Sequence, residues 1–167
     1  MHCSMGDNLF METIKEHGYN NMNKENTKQV IVIRKDLKMR RGKEMSQASH
    51  ASMAFLTKSG RMNHDIEYGA CDYHEYSFIN KHSDMEKHYE EIDHWLNHSF
   101  RKIVCYVESE QELIDLHEAA LAKGLLSHLV EDNGATEFNG VKTKTAIAIG
   151  PAYDNMFEGL TDKLTLL

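Results

Sequence analysis

The sequence predicts an α/β protein: one domain built on a four-stranded mixed sheet flanked by helices. Three observations carry this. Short β-branched runs alternate with longer stretches of helical spacing, which is the pattern of a layered α/β fold. The last two runs are joined by a short, polar, Gly-containing connection, which argues that this pair is antiparallel and the sheet mixed. The chain has 167 residues, 41% of them hydrophobic and 27% charged, as in an average globular domain. That length can bury a core without help from disulfides or a structural metal.

Taken in order, residues 1–27 are polar, rich in Asn and Met and without a sustained period, and are expected to form a mobile extension in which Ile14 could anchor a short turn. The domain proper is expected at 28–167. QVIVIR, Gln29 to Arg34, is apolar nearly throughout and too short for a helix, which fits a central strand buried on both faces. From Gly42 to about Lys58, the positions Met45, Ala48, Met53, Phe55 and Leu56 suit the core face of a helix, with Gly60 as its stop. A His-rich, acidic insertion follows this first helix at about 61–90. Met85, Tyr89, Ile92 and Leu96, with Trp95 beside them, then predict an amphipathic helix from Asp84 to about Asn97.

Lys102 to Val107 reads as the second strand. Ser109 and Glu112 have the spacing of a capping box for a helix ending at Lys123 and Gly124. Leu125 to Val130 gives the third strand, 131–144 a polar turn, and Thr145 to Gly150 the fourth strand, ended by Pro151, the single proline. The tail has room for one short helix and an apolar end.

Composition limits the function. The odd set Cys3, Cys71 and Cys105 at wide spacings, the absence of an apolar stretch of about eighteen residues, and an N-terminus unlike a signal peptide lead to the expectation of a soluble, cytoplasmic protein with no membrane partner. A net charge of −7 argues at first against a nucleic-acid partner. Its distribution argues the other way. Residues 28–60 carry eight Lys or Arg against two acids, a local +6, while 61–98 carry three against nine, a local −6. A basic face on an acidic protein is what phosphate binding requires, although solvated surface charge produces the same counts.

One segment is more specific than periodicity. VIRKDLKMRRGKEMSQASHA, Val32 to Ala51, places Arg34, Asp36, Leu37 and Met39 at the end of a strand, Gly42 and Lys43 in a turn, and Gln47, Ser49, His50 and Ala51 on a helix. It resembles the N-terminal signature of the type 2 peptidyl-tRNA hydrolases. EDNGATEFNGVKTKTAIAIGP, Glu131 to Pro151, is similar to the loop and strand of the same family, and the resemblance covers about 28–60 and 95–167. Met45 and Ser46 depart from the family's usual small pair, Ala135 from a common Arg and Glu137 from a typical Gln. The resemblance implies cleavage of the ester between peptide and tRNA on a compact α/β fold, with peptidyl-tRNA as partner and no metal or organic cofactor; a homodimer is allowed.

Such a hydrolysis needs a positioned water, an acceptor for its proton, stabilisation of an oxyanion, and cations for the tRNA end. Lys43, just inside the first helix, could hold a phosphate or a developing oxyanion. Asp132, before a Gly turn, could orient water, pair with Lys43, or simply cap its own turn. Thr136 completes the expected catalytic set, and its hydroxyl, like that of Thr145, could meet water or ribose or serve only packing. Gln47 and His50 are three residues apart and could face one substrate, His50 being equally able to serve structure. Lys38, Arg40 and Arg41, with Lys142 and Lys144 on the later turn, are the expected phosphate contacts, and Lys35 belongs to the same basic stretch. Ser49 lacks the setting of a nucleophile, since neighbouring Ser and His on a helix diverge.

His94 and His98 have the i, i+4 spacing of metal ligands, yet the HExxH arrangement is missing and no metal site is expected. Two alternatives to the enzyme remain at this point. One is a catalytically weak tRNA-binding or protein-interaction module on the same fold; the other is a metal-binding regulator, which would need a third ligand beside the two histidines.

Overall fold

Thr27–Arg34 forms strand β1 in the computed structural model, which describes residues 26–59 and 87–167. The β1 side chains feed two cores. Val30 and Val32 face one side of the sheet and Ile31 and Ile33 the other, so an uninterrupted apolar run is required. Helix α1, Arg41–Ser59, follows β1; helix α2, Tyr89–His94, runs into a π-helical turn at Trp95–Ser99 and leads to strand β2, Arg101–Val107. Helix α3 spans Glu110–Ala122, strand β3 Ser127–Asp132 and strand β4 Thr143–Tyr153. A 3-10 turn at Asp154–Phe157 precedes a two-residue strand β5, Thr165–Leu166.

The sheet therefore has five strands among the described residues, in the order β3-β4-β1-β2-β5, and the expected four is corrected by one. The tail supplies the extra strand: Thr165 and Leu166 pair with Tyr106 and Cys105 at the β2 edge, too short a segment to carry a period. β1 and β2 are parallel, and β4 is antiparallel to both β1 and β3, as the short β3–β4 connection predicts. Consequently β1, β2 and β3 point the same way, and their carboxyl ends share one end of the sheet.

Helix α1 covers the Ile31/Ile33 face through Ala48 and Ala51, and α3 covers the opposite face through Leu113, Leu116 and Ala120. Burial of Phe55 and Trp95, whose rings meet edge to face with centroids 5.8 Å apart, joins α1 to the π-helical turn. Ser109 caps α3 as its sequence predicts: its Oγ accepts from Glu112 N–H at 3.2 Å. The returning Glu112 carboxylate accepts from Glu108 N–H at 2.8 Å, one residue before the cap.

Several expectations change. Met45 and Met53 are 67% and 49% exposed, while Gln47, Ala51, Ala54 and Phe55 form the buried face of α1. A polar Gln at a core position had shifted the apparent stripe. In α2 and the π turn that continues it, Ile92 and Trp95 are buried and Tyr89 and Leu96 exposed, because a short helix followed by a π turn offers only one short contact face. β3 begins two residues later than expected and runs on to Asp132. Pro151 does not end β4. β4 instead bulges at Gly150 and Pro151, which are joined by a cis peptide bond and stand opposite the single residue Gln29 of β1, and pairing resumes at Ala152.

Of the expected extension, residues 1–25 lie outside the described residues, Ile14 among them, and Thr27 instead opens β1, fully buried. Of the expected His-rich insertion, 61–86 lies outside the described residues, as do Gly60, Met85 and the Asp84 start of the predicted helix, whereas Tyr89 and Glu90 belong to α2. No helix among the described residues is long and apolar enough to cross a membrane.

Candidate active site

Two chain segments meet at the carboxyl end of β1 and β3. β1 ends at Arg34, whose buried guanidinium donates to both oxygens of Asp36 at 3.1 and 2.6 Å, to Glu110 Oε2 at 2.7 Å and to the Lys144 carbonyl at 3.1 Å. These bonds tie the turn after β1 to the start of α3 and to β4. Asp36 chiefly, then Glu110, raises the Arg34 pKa against the opposing effect of burial, so its charge is permanent. The turn returns the chain into α1, and Lys43 and Gln47, one helical turn apart, face the sheet end together.

Lys43 Nζ lies 2.5 Å from Asp132 Oδ2 and 3.2 Å from Thr136 Oγ1. Gln47 Nε2 donates to the same Oδ2 at 2.9 Å, and its Oε1 accepts from Thr145 Oγ1 at 2.6 Å. Asp132 Oδ1 accepts from Gly134 N–H at 2.9 Å. One carboxylate thus caps its turn with one oxygen and holds the Lys43 ammonium with the other, so two of the three roles open for it in the sequence are seen together. The hydrogen bond from Lys43 holds the Asp132 carboxyl below the usual carboxylate range, helped by Gly134 N–H and Gln47 and opposed by burial. Gln47 and Thr145 are buried, whereas Lys43 and Asp132 keep 13% and 12% of their side-chain surface exposed.

The β3–β4 loop is fixed largely by its own bonds. Phe138 N–H and Gly140 N–H both donate to the Gly134 carbonyl, at 3.2 and 3.0 Å, and Val141 N–H donates to the Phe138 carbonyl at 2.8 Å. Gly134 is required here: its φ is +77°, and a Cβ would stand 2.3 Å from the Val141 carbonyl oxygen. The Phe138 ring lies 5.7 Å from Lys43 Nζ, lending an apolar, polarisable wall to the ammonium.

Of the residues expected at the site, Lys43, Asp132, Thr136, Gln47 and Thr145 come together. His50 does not join them; it is exposed, 3.3 Å from Ser46 Oγ, and lines a cavity of about 350 Å³ with Ser49, Met53 and Glu131. Arg40 is bonded to Glu137 at 2.7 Å, Lys142 lies 3.7 Å from Glu131, and Lys144 lies 3.3 Å from Glu110, so three expected phosphate contacts have carboxylate partners. Lys38 and Arg41 are exposed, and neither forms an ion pair among the described residues; the Lys35 ammonium sits 3.7 Å over the Tyr106 ring. His94 bonds Thr27 Oγ1 through Nδ1 at 3.0 Å and stacks near His98, and no group of three potential metal ligands occurs among the described residues. Phe138, Glu137 and the cross-links of Arg34 were not assigned roles from sequence.

The family model described as peptidyl-tRNA hydrolase PTH2 matches residues 27–167, from the first residue of β1 to the end of the chain. The chain belongs to this family. Among similar proteins, the peptidyl-tRNA hydrolase of Methanopyrus kandleri is 36% identical over 84% of this chain and 97% of its own length. That of Methanocaldococcus jannaschii is 32% identical over 84% and 99%, and a probable peptidyl-tRNA hydrolase 2 of Dictyostelium discoideum is 30% identical over 83% of this chain and 54% of its own. The PTH2 match includes both segments that build the Lys43–Asp132 cluster, and stops short of residues 1–26.

Proposed function

We propose that the Lys43–Asp132 cluster is where this chain hydrolyses the ester bond joining a peptide to the terminal ribose of tRNA. The observation that carries the assignment is the convergence of a cation, a carboxylate held ionised, a primary amide and two hydroxyls from α1, β3, β4 and their loop at one sheet end. Membership of the peptidyl-tRNA hydrolase family supplies the reaction.

In this mechanism the ester carbonyl enters beside Lys43, whose ammonium stabilises the oxyanion as water adds to the carbonyl carbon. Thr136 Oγ1 and Asp132 orient that water, and the carboxylate takes its proton as the carbon–oxygen bond forms. Collapse of the tetrahedral intermediate breaks the bond to ribose; the proton passes to the leaving ribose oxygen, giving a free peptide carboxyl group and intact tRNA. Asp132 is a weak base with its lowered pKa, so it acts more by position than by proton affinity. Gln47 and Thr145 hold the carboxylate in place from below. The cations Lys38, Arg40, Arg41, Lys142 and Lys144 lie on the segments bordering this cluster and receive the phosphates of the tRNA end; His50 is assigned to substrate contact at the rim.

A cytoplasmic location follows from the same reading, since its substrate arises in translation, and a homodimer is compatible with it. The test is release of labelled peptide from a model peptidyl-tRNA by the full chain, with and without a chelator. Release at an unchanged rate in chelator is expected. Binding of tRNA without release would identify a module that has lost turnover, and release that depends on one added metal would contradict the cofactor-free mechanism.

A further inference from the structure

Glu137 stands between the two segments that build the site. Its Oε1 accepts from Arg40 Nε at 2.7 Å and its Oε2 from the Arg40 backbone N–H at 3.3 Å, one residue ahead of α1. On the neighbouring position of its own loop, Thr136 reaches Lys43. The backbone bond and the ion pair differ in what they do. The first satisfies a donor at the helix start and fastens the loop to it, which any side-chain carbonyl oxygen at this position would do. The second needs the negative charge. It occupies a guanidinium that is 78% exposed in a region where Lys38 and Arg41 are also exposed to solvent.

We infer that Glu137 sets the affinity for tRNA and its salt dependence, by holding Arg40 until an RNA phosphate takes its place. The inference rests on the assignment of Arg40 as a phosphate contact. A carboxylate and a phosphate oxygen compete for the Arg40 Nε–H donor, so a phosphate that takes it displaces Glu137, and any docking on this guanidinium brings a second negative charge close to the first. The cost falls on substrate and product tRNA alike, because both carry the same phosphates. Since hydrolysis leaves the tRNA phosphates unchanged, a restrained grip favours release of the product after the ester is gone.

The experiment compares Glu137→Gln, Glu137→Ala, Arg40→Ala and the Arg40→Ala/Glu137→Gln double variant, measuring the Kd of deacylated tRNA over a salt series and kcat and KM for a model peptidyl-tRNA. Glutamine keeps the acceptor for Arg40 N–H and loses the charge. Expected for Glu137→Gln is binding about two- to fivefold tighter at low salt, the scale of an exposed ion pair. The log–log salt slope steepens toward the about 0.7–0.9 of one further phosphate contact, KM falls by more than kcat changes, and both effects vanish in the Arg40→Ala background. Wild-type affinity and slope in Glu137→Gln, with a defect only in Glu137→Ala, would mean that Glu137 merely fastens the loop, and would overturn the inference. Arg40→Ala with wild-type affinity and slope would remove the phosphate assignment of Arg40 and this inference with it. Weakened binding in Arg40→Ala alongside an unaltered Glu137→Gln would overturn the inference alone.

Discussion

The buried hydrogen bond from Thr145 to Gln47 Oε1 is what aims the Gln47 amide at Asp132. Replacing Thr145 by Val keeps the shape and leaves that oxygen unpaired in the interior, which should cost about 1–3 kcal/mol in urea unfolding and lower turnover along with stability. A loss of turnover without a loss of stability would mean that the hydroxyl meets the substrate instead. pH separates Asp132 from His50. The Asp132 carboxyl titrates below its ordinary range because the Lys43 ammonium favours the carboxylate; the ionised form is therefore present at neutral pH and is lost only as pH falls through that lowered pKa. The acid side of the kcat/KM profile should accordingly be flat down to about pH 5. An acid limb above that pH that disappears in His50→Gln would transfer the proton-accepting role to His50. At this scale the sequence was informative where a motif fixed residue type and spacing together, as for Lys43, Gln47, Asp132 and Thr136. It was silent on the pairing of Glu137 with Arg40, which lie 97 positions apart and become partners only through the fold.

At the scale of elements, the site depends on the rigidity of the β3–β4 loop. Gly134→Ala would force a Cβ into the Val141 carbonyl at a backbone angle that disfavours any side chain, so the loop must rearrange and carry Thr136 away from Lys43. The expected result is a large loss of turnover, at least about tenfold, from a protein whose sheet signature in circular dichroism is preserved. Undiminished turnover would show that the loop geometry is dispensable. The β-strands were legible because β1 and β4 are buried on both faces and read as continuous apolar runs. The helices were less so. α1 buries Phe55, Gln47 and small Ala residues, with Ala48 and Leu56 packed on the cores, but exposes Met45 and Met53, so hydrophobicity marked only part of the buried face. β5 is too short for any pattern, and β4 continues past Pro151 by bulging at Gly150 and Pro151 opposite Gln29, a pairing with β1 that local sequence does not announce.

Over the whole molecule, a net charge of −7 coexists with a local +6 over residues 28–60, but that count overstates the charge available to RNA. Arg34 is committed to Asp36 and Glu110, and Arg40 to Glu137. Arg41 has no such commitment among the described residues, and Arg41→Ala should therefore weaken tRNA binding and reduce the log–log salt slope by about 0.7–0.9; an unaltered slope would place the phosphate path elsewhere. The fold itself follows from alternation: three strands point their carboxyl ends at one end of the sheet, and the proposed mechanism requires α1 and the β3–β4 loop to meet there. The most direct test of that requirement is the single-turnover rate of peptide release from a model peptidyl-tRNA by Lys43→Ala and Asp132→Ala, each checked for a native unfolding transition. A fall of at least about tenfold in each, equivalent to about 1.4 kcal/mol of transition-state stabilisation, is the predicted result. Wild-type rates from either folded variant would contradict it.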